Sequence, residues 1–361
     1  MIRISSSEKT RLLRALLNWF AANARKMPWR NTRDPYRIWL SEVLLQQTRV
    51  AAVLPYYRNF LKHFPTLERL AAAPMADILR AWSGLGYYAR ARNLRAAARE
   101  IVARHGGTIP DSREELLRLP GIGPYTASAL LSFLYGKSEA VVDGNVIRVL
   151  SRLFAVRGDP RTGPIRKEID RLAGELVPQT GSRQFNLAMM DLGSTVCKPK
   201  QPGCGSCPLE NRCRAHRQRL QEVIPEIRRD RRKVRVHQLA AVLRRGERVF
   251  LTRRPDEGLL GGMWELPGCD GGEEKGCAVR LARVLSRRWG VAVRTGAVLA
   301  TAEHSITYRK ITVHAVRATI PPGVRLPGGR WVGPLARSRV PVSTATRKIL
   351  RALELGTGKK G

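Results

Sequence analysis

The stretch LPGIGPYTASALLSFLYGKSEAVVD, from Leu119 to Asp143, decides how the first half of this chain is read. Gly121 and Gly123 stand between a helical run closed by Leu119-Pro120 and a second run opened by Pro124, so the connection is tight and nearly free of side chains. Backbone N–H groups at such a helix start are donors for phosphate without any basic side chain. Ser112, with Glu115 three residues on, marks the start of the preceding helix. The pattern predicts helix, Gly-x-Gly hairpin and helix, a clamp for a nucleic-acid backbone. An ordinary helix-to-helix turn has the same local signature, and the flanking residues must separate the two.

Outward from the hairpin, residues 7 to about 225 are helical almost throughout, with apolar residues at three and four spacing in Leu12-Leu13-Leu16-Leu17-Phe20, in Ile38 to Phe64 and in Leu94 to Val102. Pro28, Pro35, Pro65, Pro74, Gly84, Gly86, Gly106-Gly107 and Pro110 divide this half into short helices. The arginine-dense segment IPEIRRDRRKVRV, Ile224 to Val236, then reads as an extended basic connector. Beyond it, Gln238 to Arg244, Arg248 to Thr252 and Lys310 to Thr319 alternate like strands, with one helix from Glu273 to Trp289. The fold class expected is an all-α domain over 1–225, a linker at 226–236, an α+β domain over 237–355 and a tail at 356–361.

A length of 361 residues suits two domains. The balance of 65 Lys plus Arg against 29 Asp plus Glu, a net charge of +36, predicts a polyanionic partner, with nucleic acid ahead of a membrane surface. No apolar run approaches the roughly 18 residues of a membrane-spanning helix, and Arg11 and Arg14 interrupt what would be the apolar centre of a signal peptide. A cytoplasmic, nucleoid-associated monomer without membrane contact is expected.

Four of the six cysteines, Cys197, Cys204, Cys207 and Cys213, crowd into one loop with the spacing C-x6-C-x2-C-x5-C, whereas Cys269 and Cys277 read as plain thiols. Thiolates so close share a metal. Zinc is commonly held by two separated C-x2-C pairs; the compact, staggered set here suits an iron-sulfur cluster with one thiolate per iron, with zinc as the alternative. Two carboxylates also stand out. Glu42 lies in IWLSEVLL, with Ile38, Trp39 and Leu45 around it at helical spacing, so it is expected to be partly buried and to have the raised pKa of a general acid. Asp143, between AVV and GNVI, reads as a helix N-cap; at the positive end of a helix it can also face a cation or act as a nucleophile. One raised acid beside one ionised carboxylate is the pairing used in glycosidic hydrolysis.

Together, LPGIGPYTA, the Asp of VVDGNV, SEVLLQQT at Ser41 to Thr48, GLGYYARARNL at Gly84 to Leu94 and the cysteine spacing resemble the MutY-type adenine DNA glycosylases of the helix-hairpin-helix superfamily, from about residue 8 to residue 350. The resemblance implies a monofunctional enzyme that removes adenine mispaired with 8-oxoguanine in double-stranded DNA, carries a 4Fe-4S cluster and uses a Nudix-like C-terminal domain to sense the oxidised base. It further implies that Glu42 protonates the adenine ring, that Asp143 stabilises or captures the sugar cation, and that Tyr125 and Asn145 hydrogen-bond around those carboxylates. Endonuclease III carries a Schiff-base lysine at the place of Tyr125, so strong lyase activity is not expected.

By the same resemblance Gln47, Thr48 and Tyr87 enter the base stack, Leu85 lies near them, and Arg30 stands at the adenine pocket. GLLGGMWELPG at Gly258 to Gly268 resembles the start of a Nudix fold, yet the helix that would hold magnesium through glutamates offers Arg283, Arg287 and Arg288, so pyrophosphatase activity is not expected. Two positions depart from the family. Leu187 replaces a glutamine or glutamate able to pair with the adenine edge, and Ile306-Thr307-Tyr308 stands for the Phe-Ser-His loop that recognises 8-oxoguanine. Thr307 keeps a hydroxyl, whereas Tyr308 differs from histidine in size and charge.

Overall fold

A computed structural model describes residues 2–227, 234–256, 258, 260–271, 277–306, 308–334 and 340–357. Its helices up to the cysteine loop are α1 (Ser6–Asn23), α2 (Pro35–Leu45), α3 (Val50–His63), α4 (Leu67–Ala72), α5 (Met75–Ala81), α6 (Ala89–His105), α7 (Arg113–Arg118), α8 (Pro124–Tyr135), α9 (Gly144–Leu153), α10 (Gly163–Leu176), α11 (Ser182–Thr195) and α12 (Arg214–Arg217). The punctuation read from the sequence is where they start. Asp34 caps α2 with Pro35 behind it, Ser112 accepts the Glu115 N–H, Pro124 opens α8, and Gly136, in the left-handed region at φ +66°, closes it.

The chain forms two compact units. The first comprises residues up to 50, 66–68 and 96–227; the second comprises 51–65, 69–95 and the segment from 234 on. The expected division in chain order therefore differs from the grouping in space. Within the second unit the reason is local: Arg92 donates to the Gly261 carbonyl at 2.9 Å, and Arg347 hydrogen-bonds Ser83.

In the first unit α9 is strongly amphipathic and buries Val146, Val149, Leu150 and Leu153, the i, i+3, i+4, i+7 set, against Leu12 and Leu16 of α1, Ile169 and Leu172 of α10, and Phe185 and Leu192 of α11. Helices α2 and α8 differ in kind. Tyr36 and Ile38 through Leu44 of α2 are all buried, as are Thr126 through Phe133 of α8. A helix covered on every side has no solvent face to which an acidic side chain can turn. Gly193 of α11 permits the close passage of α9, since a Cβ there would lie 2.6 Å from the Asn145 Cβ.

In the second unit, strands β1 (Val234–Arg245), β2 (Arg248–Arg253), β3 (Trp264–Glu265), β4 (Gly268–Asp270), β5 (Arg294–Ile306), β6 (Arg309–Thr319) and β7 (Gly329–Val332) form a mixed sheet of order β3-β2-β1-β6-β5, with β4 on β1 and β7 on β2. One face is covered by α13 (Cys277–Trp289) through Leu281, Leu285 and Trp289, the other by α14 (Thr344–Thr357) through Ile349, Leu350 and Leu353. One expectation is corrected and one strand was missed. The connector does not run to Val236, because β1 begins at Val234 and pairs in parallel with β6 from Arg309. The helix expected from Glu273 to Trp289 is described over Cys277–Trp289, its first residues lying outside the described ones. Strand β5 was not foreseen: its alanine-rich run lacks steady alternation, and its register against β6 shifts between Thr295 and Ala300.

Candidate active site

Glu42 projects from α2 with only 5% of its surface exposed, so it is more deeply buried than the sequence implies. Burial pushes its carboxyl up to about 7; the negative charge of Asp143 adds to the rise, while a hydrogen bond from Tyr125 and the charge of Arg30 oppose it. The Tyr125 hydroxyl, carried on the facing helix α8, donates to Glu42 Oε2 at 3.2 Å, and burial raises Tyr125 well above the usual tyrosine range. A carboxyl poised near neutrality is a proton donor and an acceptor within the same pH range.

Asp143 is the N-cap of α9, as expected. Its Oδ1 accepts the backbone N–H groups of Asn145 and Val146 at 2.9 and 2.8 Å, and its Oδ2 accepts the Asn145 side-chain amide at 2.8 Å. Buried Asn186 accepts the Val141 N–H and donates to Ser132 and to the Glu139 carbonyl, which holds the strand-like approach to Asp143. Arg148 donates to Asn145 Oδ1 at 2.8 Å, to the Gly193 carbonyl at 2.6 Å and to the Cys197 carbonyl at 2.8 Å, and so reaches from the carboxylate corner to the cysteine loop.

Both carboxylates open into one cavity of ≈ 1010 Å³, walled by Trp29, Ile38, Phe133, Leu187 and Met190 and edged by Gln47, Thr48 and Gly123. Leu187 packs with Tyr125 against Ile38, Ala129, Phe133 and Val141 and supplies no hydrogen-bonding group. Arg30 lines the cavity as expected, but its guanidinium forms a bidentate pair with Asp191, at 2.7 and 2.9 Å, which Arg25 also joins. Asp191 is fully buried. Burial alone would raise its carboxyl, yet the hydrogen bonds from Arg30 and Arg25 outweigh that and hold it below its usual range. Asp191 was not among the residues expected. Its signal was the same as that of Glu42, an acid inside an apolar helical run, Met189-Met190-Asp191-Leu192.

At the hairpin, Gly121 takes φ +78°, a conformation that favours glycine. Gly123 does not need glycine for its backbone; a Cβ there would meet nothing within 4 Å, so the start of α8 is left open on the cavity side. The first N–H groups of a helix lack intrahelical partners. Gln47, exposed at φ +55°, comes just after Gln46, the C-cap of α2. Leu85 and Tyr87 belong to the second unit, where Tyr87 stands exposed at φ +49°. Thr307 lies outside the described residues; Tyr308, in the turn from β5 to β6, is half-buried and accepts the Val234 N–H through its carbonyl at 3.0 Å. Arg280, Arg283, Arg287 and Arg288 of α13 are exposed.

Cys197, Cys204, Cys207 and Cys213 line a single cavity of ≈ 30 Å³, and Arg152, 2% exposed, donates to Cys197 Sγ at 3.3 Å and to the carbonyls of Lys198, Pro199 and Ile224. Burial disfavours the thiolate form, pushing Cys207 up to about 12 and raising Cys204 and Cys213. Among the described residues no three His, Cys, Asp or Glu side chains are grouped to hold a metal ion. The four thiols that line this cavity are donors of the kind an iron-sulfur cluster takes, one thiolate per iron, and the buried Arg152 guanidinium beside one sulfur would complement the negative charge of such a group.

Residues 40–175 match the model of the HhH-GPD superfamily base excision DNA repair proteins, and residues 239–352 match the NUDIX domain. The chain is 34% identical to the adenine DNA glycosylase of Rattus norvegicus, over 96% of this chain and 79% of that one, and 32% identical to that of Homo sapiens, over 96% and 75%. Among solved structures it resembles a thermostable thymine-DNA glycosylase at TM-score 0.54 and 32% identity, over 59% of this chain and the whole of that one. A trapped endonuclease III–DNA covalent intermediate, at TM-score 0.51 and 24% identity over 61% of this chain and the whole of that one, shares the helical fold.

Proposed function

The chain belongs to the family of adenine DNA glycosylases, and from that premise we propose that Glu42 and Asp143 carry out the reaction on an adenine turned out of the duplex into the cavity of the first unit. The enzyme removes adenine in base-excision repair. The protonated Glu42 carboxyl gives its proton to a ring nitrogen of the base as the bond from the sugar C1′ breaks. The bonding electrons leave with a neutral base, and the positive charge left on the sugar faces the Asp143 carboxylate. Water then adds to C1′ and releases a proton. The observation that carries this reading is a buried carboxyl raised to about 7 within reach of a second carboxylate whose oxygens are fixed by three donors.

Tyr125 offers no amine for a Schiff base, so the enzyme is monofunctional. The opposing base is 8-oxoguanine or guanine, sensed by the Nudix-like unit near Thr307 and Tyr308, while Gln47, Thr48 and Tyr87, with Leu85, fill the gap left by the flipped base. The open start of α8 after Gly121 and Gly123 takes a DNA phosphate. Cys197, Cys204, Cys207 and Cys213 hold a 4Fe-4S cluster whose role is structural, stiffening a basic loop. We read the enzyme as a monomer, a reading supported by one chain supplying both carboxylates and the residues that line the cavity.

Leu187 favours a second substrate beside adenine. It presents an apolar wall where the resemblance expects an amide or carboxylate for the adenine edge, and over 59% of this chain a thymine-DNA glycosylase is 32% identical, against 32% over 96% for the human adenine glycosylase. The test is a set of duplexes carrying adenine opposite 8-oxoguanine, guanine, cytosine or thymine, and thymine opposite guanine, scored for alkali-sensitive abasic sites beside a Glu42→Gln control. Cleavage of adenine opposite 8-oxoguanine or guanine, abolished in the control, is expected; cleavage of thymine opposite guanine adds the second substrate. Activity that survives in the control refutes the role of Glu42.

A further inference from the structure

We infer that Arg90 is a positioning residue, which holds the ring of Tyr87 ready for insertion into the base stack by clamping it to a buried tryptophan. The inference rests on the assignment of Tyr87 as an inserting residue. The loop that carries Tyr87 is built from backbone conformations that ordinarily belong to glycine: Gly84 at φ +104°, Gly86 at +78°, and then Tyr87 itself at +49°. A bulky residue in the left-handed region is held there only by its surroundings. Yet the Tyr87 side chain is 46% exposed and has little packing of its own.

What holds it is a stack that runs from core to surface. Trp82 is fully buried and meets Phe60 edge to face at 5.7 Å. The Arg90 guanidinium carbon lies 5.2 Å from the Trp82 ring centre and 5.4 Å from that of Tyr87, within the range at which a cation is attracted by an aromatic face. Two further bonds lock the same loop, for Trp82 Nε1 and Arg90 Nη2 both donate to the Gly86 carbonyl, at 2.9 and 3.5 Å. The Tyr87 carbonyl in turn accepts the Arg90 N–H at 2.9 Å in the first turn of α6. Burial lowers the Arg90 guanidinium to about 10, which still leaves it cationic at neutral pH.

The consequence is pre-organisation. An exposed aromatic ring that must enter a gap in a duplex loses less conformational freedom on binding if it is already fixed. Arg90 does this without touching the reacting base. A surface arginine that met only phosphate would act alike on every duplex, whereas a residue that orders Tyr87 acts only where Tyr87 is used.

The experiment is a double-mutant cycle on the full chain with Tyr87→Ala and Arg90→Met, read as affinity for a duplex with a non-cleavable fluorinated adenosine opposite 8-oxoguanine and for the matched duplex. A 2-aminopurine beside the mispair reports insertion. Arg90→Met is expected to weaken mispair binding about tenfold, a size typical of a partly desolvated cation–aromatic contact, to leave matched-duplex binding within about twofold, and to reduce the 2-aminopurine signal. In the Tyr87→Ala background the same substitution is expected to change nothing further. Equal losses in both backgrounds, or on both duplexes, overturn the inference and leave the Tyr87 assignment standing. Mispair binding unaffected by Tyr87→Ala overturns that assignment and the inference with it. Arg90→Gln, which removes the cation and keeps a polar side chain, gives the same pattern if Arg90→Met does not fold.

Discussion

Replacing Glu42 by glutamine tests the electrostatics of the site without relying on the catalytic assignment. The glutamine oxygen still accepts the Tyr125 hydroxyl, and the shape is unchanged. In the folded protein the Glu42 carboxyl is raised from 4.5 to about 7, whereas in the unfolded chain it returns to 4.5. Between these values the native state keeps a proton that the unfolded chain has lost. Stability from this group is therefore full below pH 4.5 and is lost as the pH rises through 7. Integrating between the two values, the burden on the wild-type protein is about 2.5 kcal/mol larger at pH 8 than at pH 5. Glu42→Gln escapes it. Relative to wild type, the variant should gain about 2.5 kcal/mol of stability on going from pH 5 to pH 8, or roughly 5 to 10 °C in the melting temperature of the unit that contains it. Calorimetric unfolding of both proteins across that range is the assay. A stability difference that is the same at pH 5 and pH 8 would mean that Glu42 titrates at an ordinary value and that the proton-donor role lacks its basis.

Further outcomes follow from the same geometry. The single-turnover rate of adenine release should fall above pH 7, about tenfold per pH unit, as Glu42 loses its proton; a rate flat to pH 9 argues against it. Asn186→Ala leaves the Val141 N–H, the Glu139 carbonyl and the Ser132 hydroxyl without their buried partner and should lower stability by about 2 to 3 kcal/mol, measured by urea unfolding. Leu187→Gln should favour adenine over thymine in competition between the two mispairs, because it restores a polar group to an apolar wall; an unchanged ratio removes Leu187 from base choice. Arg152→Met should weaken iron retention, followed by absorbance during exposure to a chelator, since it removes the donor to Cys197 Sγ and the ties to the Lys198, Pro199 and Ile224 carbonyls.

Much of the chemistry was legible in the order of residues because its signals are local. Ser112, Pro124 and Asp143 mark helix starts by signals that span only a few residues. Glu42 was recognisable as partly buried because Ile38, Trp39 and Leu45 surround it at helical spacing. The four cysteines form a set by spacing alone. What tertiary structure decided depends on pairs far apart in the chain. Asp191 captures Arg30 across 161 positions, so Arg30 belongs to the wall of the cavity rather than to a free phosphate contact. Gly193 admits Asn145, and Arg148 reaches both Asp143's partner and the cysteine loop, because α9 and α11 cross where only a missing Cβ allows it. Strand β1 pairs in parallel with β6, and residues 51–65 and 69–95 join the sheet-bearing unit, through contacts that no periodicity encodes. Capping and amphipathic spacing act within one or two turns of chain and are written in sequence; ion pairing, close helix approach and parallel strand register are fixed only when distant segments meet, and they are written only in the fold.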